Sequence, residues 1–272
     1  MLNEYLNTAM EVAREAGQFL KHFSESRDLN VQEKGSDLDF VTDADRESQS
    51  LIFSRLREKY PDHRFVGEED NVPDSEVAKM ISEAGPDEYF WIADPLDGTL
   101  NYIHHLSGYG VSIGLVNRGR SVAGAIYLPV TDEMFYASEG GGAFLNGRPI
   151  HASACQSLHN AFTDTGIPVS KMDRRLRFMA WEKSVGMKSA NTRMLGSAAQ
   201  AMAYAACGYL DAYWELGPHP WDVAAGLIIG SEAGCAISGI WGKPFDYNCV
   251  EGIVLCAPAI HGELIKAIEE AE

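Results

Sequence analysis

The sequence has few basic residues, few cysteines and no long apolar run that is free of polar residues. Its 272 residues contain 22 Lys and Arg against 39 Asp and Glu, so the formal net charge is −17. A field of that sign repels nucleic acids and anionic membrane surfaces, and we therefore expect neither as a partner. The longest uncharged stretch, residues 98–117, holds two His, two Asn and several glycines, and it does not predict a membrane span.

The cysteines are too few and too scattered for a disulfide framework or a zinc cluster. They are Cys155, Cys207, Cys235, Cys249 and Cys256, and no two of them form a Cys-x-x-Cys pair. The first residues also lack the basic segment and apolar run of a secretory signal. We therefore expect reduced thiols in a cytoplasmic protein. With 46% hydrophobic and 22% charged residues, the composition is typical of a globular enzyme.

Helical and strand-like patterns alternate along the chain. Apolar residues recur every three or four positions over residues 5–24 and again over 42–60, which predicts two amphipathic helices. Strand-like runs separated by Gly, Pro and Asn fill residues 109–151 and predict an antiparallel meander. Further on, helices and strands alternate again. We expect an α/β (α+β) fold of layered helices and sheets, in which the halves 1–150 and 151–272 pack as one globular unit.

A predicted junction between a strand and a helix at residues 91–99 carries two carboxylates. The apolar residues before Asp94 predict a buried strand, and Pro95 is expected to end it because proline lacks a ladder donor. Asp94 and Asp97 would then emerge at the carboxyl end of the strand, where ligands of open α/β sheets collect. If a short helix follows, the free backbone N–H groups of Gly98 and Thr99 suit a phosphate.

Two carboxylates this close require a cation between them. Unit charges of one sign about 4 Å apart repel by about 4 kcal/mol at a moderate effective dielectric. Carboxylate oxygens select hard cations such as Mg²⁺, which keeps waters and substrate oxygens in its remaining positions. Further carboxylates follow another predicted strand at residues 67–70 and open a predicted helix at 219–222. A two-metal centre could be assembled from these segments.

Each of these features also has an ordinary structural interpretation. Asp-Pro and Asp-Gly pairs are commonly turns, acidic runs such as residues 68–70 are usually solvated, and Asp222 could be only a helix-terminal carboxylate. Gly140-Gly141-Gly142 precedes a strand and the hairpin signal Asn146-Gly147, which favours a tight hairpin over a phosphate cradle. Asp43-Ala44-Asp45 is similar to the motif of phosphatases that form an aspartyl phosphate, but it opens a helix and follows no long apolar strand.

Four segments carry a family resemblance. They are Lys34 with Asp39–Asp45, then Gly67-Glu68-Glu69, then Trp91–Tyr102, and lastly Trp221–Gly226 followed by Glu232-Ala233-Gly234. Together, and over nearly the whole chain, they resemble the inositol monophosphatase family of Mg²⁺-dependent, lithium-sensitive phosphatases. The resemblance implies alternating layers of helices and two β-sheets, with the larger antiparallel sheet and most metal ligands in residues 1–150. It also implies two or three Mg²⁺ ions per active site and a homodimer.

The resemblance also assigns roles to individual residues. A first metal would be held by Glu68, Asp94 and the carbonyl of Leu96, and a second by Asp94, Asp97 and Asp222. Glu68 and Thr99, the latter hydrogen-bonded to Asp45, would orient the attacking water. The residues expected to contact the substrate are Asp97, Gly98, Thr99, Ser197, Ala198, Glu215 and Asp222.

These inferences predict hydrolysis of a sugar or cyclitol monophosphate, with inositol 1-phosphate as the first candidate. A monoester adds about two negative charges to four carboxylates, so two or three Mg²⁺ ions are needed to bring the site near neutrality. Fructose 1,6-bisphosphate, adenosine 3′,5′-bisphosphate and histidinol phosphate are alternative substrates on the same fold. Two further alternatives are a regulatory binding protein that retains the metal site and a phosphatase that forms an aspartyl phosphate on Asp43 or Asp45.

Overall fold

Two β-sheets and the helices that cover them organise the chain. The computed structural model describes residues 2–25, 31–33, 40–167, 172–247 and 251–272. The α-helices are α1 (Leu2–Ser24), α2 (Asp43–Lys59), α3 (Asp74–Ser82), α4 (Thr99–Ile103), α5 (Met172–Lys188), α6 (Ala198–Ala206), α7 (Pro220–Glu232) and α8 (His261–Glu269). The strands are β1 (Gln32–Glu33), β2 (Phe40–Val41), β3 (Arg64–Gly67), β4 (Tyr89–Asp97), β5 (Gly110–Asn117), β6 (Arg120–Leu128), β7 (Glu133–Ser138), β8 (Gly142–Leu145), β9 (Arg148–Pro149), β10 (Phe162–Thr165), β11 (Asn191–Arg193), β12 (Ala212–Leu216), β13 (Ala236–Gly239) and β14 (Gly252–Cys256).

The larger sheet has seven strands in the order β3-β4-β5-β6-β7-β8-β9. Five of its six pairings are antiparallel, as the meander predicted, but β3 pairs with β4 in parallel, so the sheet is mixed. Between β8 and β9 the chain turns at Asn146 and Gly147, whose φ angles of 48° and 82° suit this dipeptide. The parallel pair has a direct consequence for function, because the carboxyl ends of β3 and β4 meet at one edge.

The smaller sheet has five strands in the order β11-β10-β12-β14-β13. Its strand β10 is parallel to both neighbours, β11 and β12, whereas β14 runs antiparallel to β12 and β13. The carboxyl ends of β10 and β12 therefore lie side by side at a second sheet edge.

Helices separate and cover the two sheets. Helices α1 and α2 pack on one face of the larger sheet, while α6 and α7 lie between its other face and the smaller sheet. Helices α5 and α8 cover the outer face of the smaller sheet, around the buried rings of Trp181 and Trp214. The expected α/β fold with alternating layers of helices and two β-sheets is confirmed. The division of the chain into two halves, residues 1–150 and residues 151–272, stays a prediction.

Some local features differ from the sequence-based expectations. Strand β4 does not end at Pro95 but continues to Asp97, with a register shift between Asp94 and Asp97 that takes up the missing donor. Helix α3 was not expected from its short apolar pattern. Cys155, Cys207, Cys235 and Cys256 are free thiols, and Cys249 lies outside the described residues. Among the residues that the structure describes, none of the helices is both long and apolar enough to cross a bilayer.

Candidate functional site

The irregular end of β4 presents the two predicted carboxylates. Asp94 is 3% exposed and Asp97 is 7% exposed, although acidic side chains are seldom buried without a partner. The backbone N–H of Leu96 donates to Asp94 Oδ1 over 3.0 Å. The hydrogen-bond ladder between β4 and β5 shifts register here. Both carboxyls and the Leu96 carbonyl therefore lie together at the carboxyl end of β4.

The start of α2 is tied to the same place through Asp45 and Thr99. Asp45 is buried, and its Oδ2 accepts hydrogen bonds from the backbone and the hydroxyl of Thr42, the N-cap residue of α2. Its other oxygen accepts from Thr99 Oγ1 at 3.2 Å, and the same hydroxyl lies 3.0 Å from the Leu96 carbonyl. The single hydrogen of the Thr99 hydroxyl therefore points toward these two acceptors, and its lone pairs are left to accept a hydrogen bond from a water.

Glu68 enters the site from the short 3₁₀ turn that follows β3. Three hydrogen bonds hold this turn: Gly67 N donates to Asp70 Oδ2 (2.8 Å), Glu69 N to Gln49 Oε1 (3.0 Å), and Gln49 Nε2 to Asp70 Oδ1 (2.9 Å). Since β3 and β4 are parallel, the turn lies beside the end of β4, and the side chains of Glu68 and Asp94 are hydrogen-bonding partners.

Asp97 connects the end of β4 to the beginning of α6. Its carboxylate accepts hydrogen bonds from the Ser197 hydroxyl and from the backbone N–H groups of Ala198 (3.2 Å) and Ala199 (2.8 Å). A carboxylate at a helix N-terminus is stabilised by unpaired N–H groups and by the helix dipole. Ser197 and Ala198 thus contact Asp97. The family resemblance predicts that all three residues contact the substrate.

Asp222 comes from the first turn of α7, between the two sheets. Its Oδ2 accepts a hydrogen bond from His219 N at 2.7 Å. The imidazole of His219 is 2.9 Å from Asp74 and is stacked on the Trp221 ring, with 4.9 Å between the ring centroids. Desolvation alone would lower the pKa of His219, but the hydrogen bond to Asp74 and the charges of Asp222, Asp74 and Glu68 raise it to about 9.

The carboxyl groups of this site disfavour one another's charge. Burial raises the pKa of Asp94 well above its ordinary value, and the charges of Glu68, Asp97 and Asp222 raise it further. Burial also raises the pKa of Asp97 to about 6, against the opposing effect of its three hydrogen bonds. Desolvation and the charges of Glu215 and Asp97 raise the pKa of Asp222 well above normal, although His219 opposes the shift. The protein alone supplies too little positive charge for these acids to ionise together.

The donor set of the site fits Mg²⁺ in its chemistry. It consists of four carboxylates and a backbone carbonyl, all of them hard oxygen donors. Within the described part of the chain, however, no three acidic, His or Cys side chains already stand around one point where they could hold an ion. The two observations are compatible, because carboxylates that no cation holds together repel one another. Asp94 is nevertheless within electrostatic range of Glu68, Asp97 and Asp222. Small side-chain rotations would be needed for coordination.

A cavity of about 410 Å³ opens between the carboxyl cluster and the smaller sheet. Asp97, Ser197 and Asp222 line it, together with Asp164 and Glu215 from strands of the smaller sheet. Desolvation raises the pKa of Glu215 to about 7, with the Tyr213 hydroxyl, which donates to its carboxyl, as an opposing effect. The cavity is large enough for a sugar-sized molecule.

Most of the residues predicted for the site come together. The structure gathers Glu68, Asp94, Leu96, Asp97 and Asp222 at adjoining element ends, with Asp45 and Thr99 behind them and Gly98, Ser197, Ala198 and Glu215 close by. Lys34 lies outside the described residues. The sequence reasoning missed the roles of Gln49, Asp164 and His219. Asp164 lies near the carboxyl end of β10, and no local sequence pattern links that position to Glu215.

A layered fold with buried acids beside a cavity defines a candidate enzyme site, and the comparisons with known proteins identify the family. The model of the inositol monophosphatase family matches residues 1–272, so the chain belongs to that family. An inositol-1-monophosphatase of Mesorhizobium japonicum is 36% identical over 266 residues, 97% of this chain and 96% of that protein. The Nus factor SuhB of Vibrio cholerae is 33% identical over 270 residues, 99% and 97% of the two chains. The structure of extragenic suppressor protein suhB from Bartonella henselae superposes with a TM-score of 0.87 at 31% identity, covering 98% of this chain and 99% of that one.

Family membership supports a phosphatase and, because the family is generally metal-dependent, a requirement for a metal ion. One of these relatives is named as an inositol-1-monophosphatase and the other as a Nus factor. Family membership alone therefore does not identify the substrate.

Proposed function

We propose that this chain hydrolyses the phosphate monoester of a sugar or cyclitol, with inositol 1-phosphate as the first substrate to test. The observation that carries the proposal is the group of carboxyls with raised pKa values beside a cavity of about 410 Å³. Acids that cannot ionise together without added cations are unfavourable for folding, and such groups are characteristic of functional sites. We also expect a cytoplasmic homodimer that lithium inhibits.

The oxygen donors of the site would hold two or three Mg²⁺ ions. Glu68, Asp94 and the Leu96 carbonyl would hold the first, and Asp94, Asp97 and Asp222 the second. When bound, Mg²⁺ supplies charge neutralisation, polarises the phosphoryl oxygens and lowers the pKa of a water. A side-chain nucleophile is then unnecessary, and we expect no phosphoenzyme on Asp43 or Asp45.

The protein's own groups would place the water for attack on phosphorus. Thr99 Oγ1 is fixed by Asp45 and can accept a hydrogen bond from that water. Glu68, on the adjoining turn, would accept a second hydrogen bond and take up the proton. Holding the water at one position removes much of the entropic barrier to its attack.

The substrate would lie between the carboxyl cluster and the smaller sheet. Gly98 and Thr99 would offer backbone N–H groups to the phosphate, since α4 begins at Thr99. Ser197, Ala198 and Glu215 border the cavity in which the leaving group would lie. An ionised Glu215 accepts hydrogen bonds from hydroxyl groups, which favours a polyol over an apolar alcohol.

Phosphate release from a panel of monoesters tests the proposal. We expect turnover of sugar or cyclitol phosphates with Mg²⁺, none after chelation with EDTA, and recovery when Mg²⁺ is restored. Undiminished release in EDTA, or in an Asp94→Asn variant, would contradict it. Preference for fructose 1,6-bisphosphate, adenosine 3′,5′-bisphosphate or histidinol phosphate would keep the chemistry and change the substrate.

A regulatory role is the second candidate, and the name of the Vibrio cholerae relative favours it. If this chain acts mainly by binding another macromolecule, the purified protein should turn over no monoester in the panel but should form a stable complex.

The trapping of a radioactive phosphoenzyme would instead favour the aspartyl-phosphate mechanism.

A further inference from the structure

Three exposed apolar side chains border the cavity between the carboxyl cluster and the smaller sheet. Leu100, Ile167 and Met194 are 52%, 45% and 45% exposed, and all three line this cavity. We call them the apolar rim. Single exposed apolar residues are common on protein surfaces, but several of them together beside a site commonly mark a place where a ligand binds. The function proposed above uses none of the three.

The pairing of β10 with β11 places two residues of the apolar rim at one sheet edge. In this parallel pair Asp164 lies opposite Arg193. Ile167 follows the carboxyl end of β10, and Met194 follows the carboxyl end of β11. Ligands of open α/β sheets collect outside these strand ends, so both side chains stand where a bound molecule would pass.

A hydrogen bond holds the third residue, Leu100, against the same edge. The side-chain amide of Asn101, its neighbour in α4, donates to the carbonyl of Leu195 over 2.7 Å. Leu195 follows Met194 in the chain, and its backbone N–H donates to Asp164 Oδ2 over 3.0 Å. These two bonds connect α4 to the end of β10, so the fold itself brings the apolar rim together.

The chemistry of this part of the cavity suits an aromatic ring. The side chains of the apolar rim have no hydrogen-bond donor, and a thioether such as that of Met194 packs favourably against aromatic rings. Arg175 of α5 lines the same cavity, and a guanidinium stacks on the face of an aromatic ring. An anionic group could also pair with Arg175, but Asp164 and Glu215 line the cavity too and would repel it.

We propose that the apolar rim and Arg175 bind an aromatic ring of the leaving group, so that this protein also hydrolyses monoesters whose leaving group joins a hydroxyl-bearing part to an aromatic part. The inference rests on the proposed phosphomonoesterase function and extends it beyond free polyols. Water adds to phosphorus, the P–O bond to the leaving group breaks, and the proton that the water loses ends on the released alcohol. A cavity of about 410 Å³ is large enough for such a molecule.

Two substrates that differ only in the aglycone test the inference. Phenyl β-D-glucoside 6-phosphate carries an aromatic ring and methyl β-D-glucoside 6-phosphate carries a methyl group, while their sugar hydroxyls and phosphate are the same. With Mg²⁺ we expect kcat/KM to be about tenfold higher for the phenyl compound, because its ring covers apolar surface when it binds. The difference should lie mainly in KM, since the ring is bound equally before and during the reaction.

Polar substitutions of similar size assign this preference to the apolar rim. Ile167→Thr and Met194→Gln remove apolar surface at exposed positions, where substitutions have small effects on stability. In the double variant Ile167→Thr/Met194→Gln, the preference for the phenyl compound should fall from about tenfold to about threefold or less. Met187→Gln is the matched control, since Met187 is 80% exposed on α5 and does not line the cavity. It should keep the full preference.

Equilibrium binding gives a readout that does not depend on turnover. In calorimetric titrations with Ca²⁺ in place of Mg²⁺, the phenyl compound should bind about tenfold more tightly than the methyl compound to wild type and to Met187→Gln. In the double variant this ratio should be about threefold or less. If the wild-type protein hydrolyses no monoester, the proposed function fails, and the calorimetric ratio still decides whether the apolar rim binds an aromatic ring.

Several outcomes would overturn the inference. They are equal binding of the two compounds by wild type, an unchanged ratio in the double variant, and an equal fall of the ratio in Met187→Gln. A smaller oligomeric mass of the double variant by light scattering, with the phenyl preference retained, would assign the apolar rim to a contact between copies of this chain and would also overturn it. Absence of any binding of either compound to wild type would reject it.

Discussion

Two groups of acidic side chains in this molecule differ in what surrounds them. Asp45, Asp211 and Glu232 each receive at least two hydrogen bonds from backbone or hydroxyl donors, and they join elements that are distant in sequence. Asp94 and Asp164 are buried, and each accepts a single backbone hydrogen bond and is close to other acids. The first group stabilises the fold, and the second makes it less stable unless a cation or substrate is bound. The difference marks Asp94 and Asp164 as acids that folding alone does not require, although Asp45 and Asp97 show that a residue of the site can also accept several hydrogen bonds.

The largest expected effect separates activity from stability at Asp94. Asp94→Asn replaces a carboxyl whose ionisation Glu68, Asp97 and Asp222 all oppose, and it removes a carboxylate that would bridge both metals. We expect kcat/KM to fall at least ~10³-fold, or roughly 4 kcal/mol of transition-state stabilisation. The metal-free variant should unfold at the same temperature as wild type or higher.

Phosphate release and thermal unfolding in EDTA are the two measurements. Asp211→Asn provides the contrast, because it should lower the unfolding temperature while its kcat/KM stays near that of wild type. A large fall in the stability of metal-free Asp94→Asn would show that Asp94 stabilises the fold as the first group of acids does. That result would contradict the comparison.

The second effect concerns the pH dependence of stability at Asp164. Because its pKa is raised to about 7 from an ordinary 3.8, the folded protein retains a proton that the unfolded chain releases. The free energy of unfolding should therefore fall as pH rises from about 4 to about 7, by at most ~4 kcal/mol at about 1.4 kcal/mol per pH unit. Asp164→Asn has no such proton and should lack this part of the dependence.

Urea unfolding of both metal-free proteins at pH 5 and pH 8 measures the difference. The variant should gain stability relative to wild type at the higher pH. Equal pH dependence in the two proteins would show that the carboxyl of Asp164 is better solvated than its burial indicates.

The third effect is stabilisation by Mg²⁺ itself. An ion that binds only the folded protein adds about 2.7 kcal/mol to the free energy of unfolding when its concentration is a hundred times Kd. We expect that increase for wild type and for Asp211→Asn, but little or none for Asp94→Asn. Differential scanning calorimetry across a Mg²⁺ series measures it, and an equal increase in all three proteins would place the binding site away from Asp94.

The same comparison explains what could be predicted from the sequence. Asp94 and Asp97 were predictable because an apolar strand, a proline and two acids lie within a few residues. Asp164 was not, because its surroundings depend on the register of β10 against β12 and on Glu215, 51 positions further on. Helix α3 was missed because only Val77, Ala78 and Ile81 are buried in its two turns. Local patterns predict elements, whereas pairings between distant segments decide which acids share a cavity.

The smallest expected effect concerns the turn that carries Glu68. Gln49 and Asp70, whose hydrogen bonds hold this turn, are intermediate between the two groups of side chains compared above. The pair is part-buried, makes three hydrogen bonds and holds the turn that carries Glu68. Gln49→Glu would set a carboxylate against Asp70, and Asp70→Asn would set two amide N–H groups against each other. Either change should loosen the turn and weaken Mg²⁺ binding about tenfold, with a much smaller change in kcat at saturating Mg²⁺.

The double variant Gln49→Glu/Asp70→Asn exchanges the two chemical groups and can restore all three hydrogen bonds. The carboxylate introduced at position 49 would accept from Glu69 N and from the new amide at position 70, whose oxygen can still accept from Gly67 N. Mg²⁺ affinity should therefore return to within about threefold of wild type, as measured by calorimetry, and the non-additivity of the cycle gives the coupling of the pair. If the two single losses of Mg²⁺ affinity simply add in the double variant, the hydrogen bonding between Gln49 and Asp70 does not position Glu68. Asp70 would then be one of the surface acids.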